Sequence, residues 1–124
     1  MPNHLATAKQ SIVCTLCEGD YHLGVGVLIN SLHARGFNGF VCVGYRGPLP
    51  PWASGAKPEG EGQHRLSLET FEVLFFPLAT KRHLTNYKPE FMLHVWHTIA
   101  HAAEYIYFFD ADIFIVARWT YFEA

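Results

Sequence analysis

The chain has 124 residues, of which 50% are hydrophobic and 16% are charged, and its formal net charge is −2. This composition is typical of one globular domain and excludes a disordered chain, and the small negative charge does not support binding to nucleic acid through bulk charge. The chain contains no apolar run of the ~20 residues that span a bilayer, no secretory signal at its start and only three cysteines, so we expect a cytoplasmic protein of a reducing compartment with no transmembrane segment.

The first elements in chain order are a strand and a helix. A mainly apolar strand is predicted over residues 11–17, and the turn Glu18-Gly19-Asp20 follows it. Asp20 suits the N-cap of the next helix, whose end Gly36 marks. The apolar stripe of this helix has helical spacing and consists of Val25, Leu28, Ile29 and Leu32.

The middle of the chain is predicted to hold two further strands around a long loop. Residues 40–45 and 71–76 are mainly apolar, and Pro77 ends the second of these runs. Between the two strands, residues 46–63 are rich in glycine and proline, which predicts a loop, flexible over about residues 46–65.

The last part is predicted to be a helix followed by a strand. The helix begins near Asn86, with Pro89 in its first turn, and its core stripe consists of Phe91, Met92, Val95, Ile99 and Ala102. The order β-α-β-loop-β-α-β predicts an α/β fold with a mostly parallel sheet and Rossmann-like β-α-β units. The closing residues A-R-W-T-Y-F-E-A resemble the start of a helix, so we expect the chain to be the N-terminal part of a longer protein.

Residues 105–116, Y-I-Y-F-F-D-A-D-I-F-I-V, carry the main chemical signal. The aromatic and branched residues predict a buried strand whose end carries Asp110 and Asp112. Two carboxylates this close repel each other unless a cation lies with them, and paired hard oxygens suit Mg²⁺ or Mn²⁺. The pattern therefore predicts a divalent-metal site at a strand terminus.

Ligands of open parallel sheets bind beyond the carboxyl ends of the strands. If the first strand is central and the aspartate strand lies beside it, the loops 15–21 and 110–112 meet at that edge. A nucleotide base then rests against the first loop while its phosphates reach a metal at the second. Lys88 adds positive charge to the same site.

Three stretches resemble the N-terminal, nucleotide-binding half of a GT-A glycosyltransferase, broadly of family 8. They are I-V-C-T-L-C-E-G-D-Y before the first helix, Y-K-P-E-F at the start of the second, and F-F-D-A-D-I-F-I. The resemblance implies a metal-dependent enzyme that moves a sugar from a nucleotide-diphosphate sugar, with UDP as the default nucleotide, to a hydroxyl of a saccharide or protein acceptor. In such enzymes Mn²⁺ or Mg²⁺ neutralises the leaving diphosphate as a Lewis acid.

The same resemblance assigns roles to individual residues. Asp112 is the direct metal ligand and Asp110 binds metal, ribose or both. Lys88 lies near the phosphates or the D-x-D motif. The nucleotide contacts are Thr15, Leu16, Cys17, Tyr21, Lys88, Asp110 and Ala111. The third metal ligand and the acceptor site lie further along in the family than residue 124, and no catalytic base is assigned.

Plainer interpretations and rival functions accompany these assignments. A D-x-D motif alone usually marks a solvated turn, Lys88 also suits a solvated helix position, and Tyr21 also suits packing of helix on sheet. A haloacid-dehalogenase-like phosphatase shares a strand followed by D-x-D, but it usually has Thr or Val where Phe114 stands here and places the motif early. A non-catalytic module that binds nucleotide or sugar is the rival outside the enzymes.

Three further patterns are predicted to be structural. Cys14 and Cys17 have C-x-x-C spacing, but residues three apart on a strand point to opposite faces, which favours buried core thiols. A dinucleotide fingerprint beginning at Gly24 fails at Ile29, where its third glycine belongs, and the glycines favour close packing of helix on sheet. A row of metal-ligand residues on the second helix lies opposite its core stripe and is predicted to be solvated: His94, His97, His101 and Glu104.

Overall fold

The computed structural model describes residues 11–98 and 103–123, which form an α/β fold. The α-helices are α1 (His22–Ala34), α2 (Leu84–Thr98) and α3 (Trp119–Phe122), and short 3₁₀ turns cover Gly19–Tyr21 and Pro51–Ala53. The strands are β1 (Ser11–Glu18), β2 (Phe40–Arg46), β3 (Lys57–Gly60), β4 (Gln63–Ser67), β5 (Glu72–Pro77) and β6 (Tyr105–Phe108). Within these ranges, no helix has the length and hydrophobicity that crossing a membrane requires.

The six strands form one mixed sheet in the order β3-β4-β5-β2-β1-β6. β1 pairs in parallel with both β2 and β6, and β2 pairs in parallel with β5. β4 is antiparallel to β3 and to β5. The predicted α/β class and mostly parallel sheet are confirmed, as is the expectation that the aspartate-bearing strand lies beside the first strand. The first strand is an interior strand of the sheet, but it lies one strand from the end of the order and not at the centre.

Alternation along β1 divides the core into two layers. Val13 and Cys17 belong to the layer under α1, whereas Ile12, Cys14 and Leu16 belong to the layer under α2. The predicted stripe of α1 is buried. On α2, Phe91 and Val95 are buried and Met92 is half-buried, while Ile99 and Ala102 lie outside the described residues.

The predicted loop over residues 46–65 is wrong in part, because the chain there forms a 3₁₀ turn, β3 and most of β4. The β3–β4 connection has positive φ at Gly60, Glu61 and Gly62, so residues that signal a loop in the sequence build a tight hairpin turn. Pro58 is compatible with β3 because β3 is an edge strand of this sheet.

Two helix starts differ from the sequence prediction. Asp20 does not cap α1: it lies in the preceding 3₁₀ turn, and Tyr21 occupies the cap position without a side-chain hydrogen bond. Because the chain first forms this 3₁₀ turn, the helix begins one residue later than a cap at Asp20 requires. α2 begins at Leu84, two residues before the predicted Asn86, which places Pro89 beyond the first turn.

The strand that precedes the aspartates is shorter and less buried than predicted. β6 ends at Phe108 and its residues are half-buried, because β6 lies at the end of the strand order. Residues 113–118, which we call the strap, then run along α1 to α3. The Ile115 backbone N–H donates to Ser31 Oγ at 2.9 Å and the Trp119 N–H donates to the Arg35 carbonyl at 2.8 Å. The predicted helix start near the end of the chain is confirmed as α3.

Candidate functional site

Asp110 and Asp112 project from a tight turn directly beyond β6. The Phe109 N–H donates to the Cys14 carbonyl at 3.0 Å, which continues the β1–β6 pairing by one residue. The Ile113 N–H then donates to the Asp110 carbonyl at 3.1 Å and closes a four-residue turn. We call residues 110–113 the D-x-D turn. Both carboxylates are exposed, and Ala111 between them is buried.

Lys88 of α2 lies at this turn. Its Nζ is 2.7 Å from Asp110 Oδ1 and 5.1 Å from the centre of the Phe108 ring. The lysine side chain is 32% exposed, so its stem is partly covered while the ammonium reaches the carboxylate. The predicted proximity of Lys88 to the D-x-D motif is therefore present, and Asp110 already has a cationic partner.

The first turn of α1 packs against the D-x-D turn. A methyl group on Gly24 would lie 1.9 Å from the Ala111 carbonyl oxygen, so the two backbones touch with no room for a side chain. The N-terminal end of a helix carries partial positive charge, which favours carboxylates or phosphates nearby. The start of α1, which follows the loop after β1, and the D-x-D turn thus meet at one edge of the sheet.

A cavity of about 280 Å³ opens at the carboxyl ends of β1 and β2. It is lined by the end of β1 and the turn after it, by Tyr45 and Arg46 of β2, and by the proline-rich residues 48–51. Its volume is close to the lower limit of roughly 300 Å³ for small-molecule sites. Cys17 is the predicted nucleotide contact that lines this cavity, whereas Asp110 and Asp112 do not line it.

A bidentate ion pair holds one wall of the cavity. Arg46 Nε and Nη2 donate to the two Glu18 carboxylate oxygens at 2.9 Å and 2.8 Å, and Arg46 Nη1 donates to the carbonyls of Thr80 and Arg82. The hydrogen bond from Arg46 lowers the pKa of Glu18. No role for Arg46 was predicted from the sequence, because this residue was assigned to a loop. A cation directly after an apolar strand was the signal that could have indicated it.

The other predicted nucleotide contacts on β1 and in the turn after it differ in their exposure to solvent. Tyr21 is 67% exposed, so the alternative that it packs the helix onto the sheet is wrong and its ring is accessible. Thr15 and Leu16 are buried, and Leu16 belongs to the layer under α2. Thr15 Oγ1 is buried and has no hydrogen-bond partner among the described residues.

The donor set of the D-x-D turn fits a hard divalent cation in part. Across residues 11–98 and 103–123, no group of three or more His, Cys, Asp or Glu side chains is placed to hold a metal. Two carboxylates are nevertheless sufficient protein ligands where Mg²⁺ keeps several waters and binds substrate phosphates. The arrangement therefore suits a cation that arrives with a phosphate ligand better than one held by protein alone.

The remaining polar patterns are structural, as predicted. Cys14, Cys17 and Cys42 are free and buried, and burial raises the pKa of Cys14 to about 12 and that of Cys17 to about 11. Such thiols are protonated and unreactive at neutral pH. His94 and His97 are exposed, in agreement with a solvated face of α2, and His101 lies outside the described residues. Glu104 is also exposed, but it lies in a bend directly before β6 and not within Leu84–Thr98, so its predicted place on the helix is wrong.

Comparison with known proteins found no match to this chain among protein-family models, curated proteins or solved structures. The fold and the site define an α/β protein with a mixed six-stranded sheet. Its acidic turn, paired lysine and cavity lie at the carboxyl ends of parallel strands.

Proposed function

We propose that this chain is a nucleotide-binding domain of GT-A type that serves a metal-dependent glycosyltransferase using a nucleotide-diphosphate sugar, with UDP as the expected nucleotide. The observation that carries the proposal is the parallel pairing of β1 with both β2 and β6. Parallel neighbours end at the same edge, so the cavity beyond β1 and β2 and the D-x-D turn beyond β6 lie at one edge of the sheet. Ligands of open α/β sheets bind at such an edge.

In this proposal the cavity and the D-x-D turn bind different parts of the nucleotide-sugar donor. The cavity beyond β1 and β2 receives the nucleoside, with the exposed Tyr21 ring next to the cavity-lining His22. The D-x-D turn receives the diphosphate, where Asp110 and Asp112 present hard oxygens. The ammonium of Lys88, 2.7 Å from Asp110, is a cation at the turn that can also bind a phosphate oxygen.

Mn²⁺ or Mg²⁺ at the D-x-D turn would supply charge neutralisation of the leaving nucleoside diphosphate. The chain's own residues do the positioning. Asp112 is exposed and accepts the cation, while the Ile113-to-Asp110 hydrogen bond holds the turn that carries both carboxylates. The Glu18–Arg46 pair holds the wall of the cavity through the carbonyls of residues 80 and 82. The acceptor is a hydroxyl-bearing saccharide or protein.

The test is a calorimetric titration of UDP into the chain with and without Mn²⁺, for the parent and for Asp112→Asn. We expect tight binding to require Mn²⁺ and the substitution to weaken it by roughly tenfold or more, since even supporting residues of metal sites contribute 10- to 100-fold. Glu104→Gln is the matched control, because Glu104 is an exposed carboxylate next to the other end of β6. Equal UDP affinity with and without metal, or an Asp112→Asn variant that binds like the control, would refute the proposal.

A further inference from the structure

α1 approaches the D-x-D turn closely at a glycine. A methyl group on Gly24 would lie 1.9 Å from the Ala111 carbonyl oxygen and 3.0 Å from the Ala111 carbonyl carbon. Ordinary contact begins at 3.4 Å, so the turn would have to retreat by about 1.5 Å to admit a side chain (3.4 minus 1.9). The contact involves rigid backbone on both sides, so neither partner can rotate away.

The atom that Gly24 touches lies at the centre of the D-x-D turn. The Ala111 carbonyl belongs to the peptide that joins Ala111 to Asp112, and the turn is closed across it by the Ile113-to-Asp110 hydrogen bond. A displacement of this carbonyl therefore moves the backbone that carries Asp110 and Asp112 together. The contact therefore affects the positions of both carboxylates, although Gly24 does not contact either carboxylate.

From this contact we infer that Gly24 is a positioning residue for the D-x-D turn: its missing side chain sets how far the two carboxylates lie from the loop after β1. The consequence for nucleotide binding depends on the proposed function, because a diphosphate must reach the turn while its nucleoside occupies the cavity. A side chain at position 24 widens that separation and weakens the binding of metal and nucleotide together.

Backbone conformation does not explain the glycine. Gly24 lies inside α1 and is not among the glycines with positive φ, so alanine has no conformational penalty there and is the better helix former. Gly26, two residues further along the same helix, offers a comparison: a methyl group there would make ordinary contact with the Trp52 ring at 3.6 Å. At position 24, the three atoms nearest to an added methyl group all belong to the D-x-D turn.

The experiment compares three variants by amide NMR and by Mn²⁺ electron paramagnetic resonance in the presence of UDP. Gly24→Ala carries the test. Gly39→Ala is the matched control, because its methyl group would also lie 1.9 Å from a backbone carbonyl oxygen, that of Ser11 at the amino end of β1. Gly26→Ala controls for helix propensity. All three positions lie within the described residues.

We expect Gly24→Ala to shift the amide resonances of Ala111 and Asp112 and to weaken Mn²⁺ binding in the presence of UDP by roughly 10- to 100-fold, the range for residues that orient metal ligands. Gly39→Ala is expected to lower thermal stability as Gly24→Ala does, because both methyl groups meet a backbone carbonyl. It is expected to leave the Ala111 and Asp112 resonances and Mn²⁺ binding unchanged. Gly26→Ala is expected to match the parent in both readouts. If the Ala111 and Asp112 resonances stay in place in Gly24→Ala, or if Gly39→Ala weakens Mn²⁺ binding equally, the inference is wrong.

A measurement on the parent chain covers the case in which Gly24→Ala does not fold. Titration with Mg²⁺ and UDP is expected to shift the amide of Gly24 together with that of Asp112 and to leave Gly39 in place; shifts at Asp112 with a silent Gly24 overturn the inference. Failure of the proposed function has a different signature. In that case Mn²⁺ binding does not depend on Asp112: either the parent binds no Mn²⁺, or Asp112→Asn binds it equally. Gly24→Ala still displaces the Ala111 resonance.

Discussion

At the scale of single residues, the two carboxylates of the D-x-D turn are not equivalent. Asp110 has an ion pair with Lys88 at 2.7 Å, whereas Asp112 is exposed on the other side of Ala111. A divalent cation that binds both carboxylates must therefore compete with the lysine ammonium at Asp110. Because both partners of the pair are partly exposed, solvent screens it and its strength is at most about 1 kcal/mol.

Replacement of Lys88 by methionine is expected to tighten Mn²⁺ binding in the absence of nucleotide. The substitution keeps the apolar stem over Phe108 and removes the charge that competes for Asp110, and ~1 kcal/mol corresponds to an increase of up to about fivefold. Calorimetric titration of Mn²⁺ measures it. Lys81→Met is the control, because Lys81 is an exposed lysine in the loop before α2. An affinity equal to that of the control would show that Lys88 does not compete with the metal.

The sequence allowed single residues to be placed only where their neighbours in the chain decide the placement. Asp110 and Asp112 follow an apolar run, so their position beyond a strand was predictable. The contact of Gly24 with Ala111 joins residues 87 positions apart (111 minus 24) and depends on how closely α1 approaches the turn. No local pattern encodes that distance.

At the scale of elements, the strap is docked to α1 by a buried hydroxyl. Ser31 Oγ accepts from the Ile115 N–H at 2.9 Å and donates to the Leu28 carbonyl at 2.8 Å. Ser31 is 3% exposed and Ile115 is also 3% exposed, so water does not replace the bond. The sequence hid this role, because a serine within a helix usually bonds only to its own helix.

We expect Ser31→Ala to lower the free energy of unfolding by about 1–3 kcal/mol, because it leaves the buried Ile115 N–H without a partner. Urea denaturation measures the loss. Ser54→Ala is the control, since Ser54 is exposed at the end of the Pro51–Ala53 turn. A loss no larger than that of the control would mean that the strap does not depend on this hydrogen bond.

The elements that sequence reasoning placed well are the buried ones. β1, β2 and β5 are apolar runs, and their predicted bounds agree within a residue or two. β3 and β4 were missed because they lie at the exposed end of the sheet and are held by charge, with Arg65 bonded to Glu59 and Glu72. A strand that is held by ion pairs and flanked by turn glycines lacks the hydrophobic alternation from which strands are predicted.

At the scale of the whole molecule, buried thiols lie on both faces of the sheet. Cys14 and Cys42 are paired in register on β1 and β2 and belong to the layer under α2, and Cys17 belongs to the layer under α1. Burial raises the pKa of Cys14 to about 12, that of Cys17 to about 11, and that of Cys42 well above its ordinary value. Folding therefore keeps protons on three thiols that the unfolded chain releases near pH 9.

This difference predicts a loss of stability at alkaline pH. Below pH 9 both states hold the protons and the thiols add no pH dependence, whereas from pH 9 toward pH 11 the unfolded chain ionises first and the free energy of unfolding falls. Each thiol contributes up to about 1.4 kcal/mol per pH unit. In Cys14→Ala one such contribution disappears, so its stability is expected to fall less steeply than that of the parent in urea titrations between pH 8 and pH 10.5.

Val13→Ala is the matched control, because Val13 is the buried neighbour of Cys14 on β1 and has no titratable proton. It is expected to be less stable than the parent at every pH while keeping the parent's slope. Tyr45 and Tyr107, whose pKa values burial also raises, are present in all three proteins and cancel in the comparison. If Cys14→Ala kept the parent's slope, the folded chain would have to admit a thiolate into the layer under α2. That layer consists of aliphatic, aromatic and thiol side chains, and burial among them disfavours such an anion.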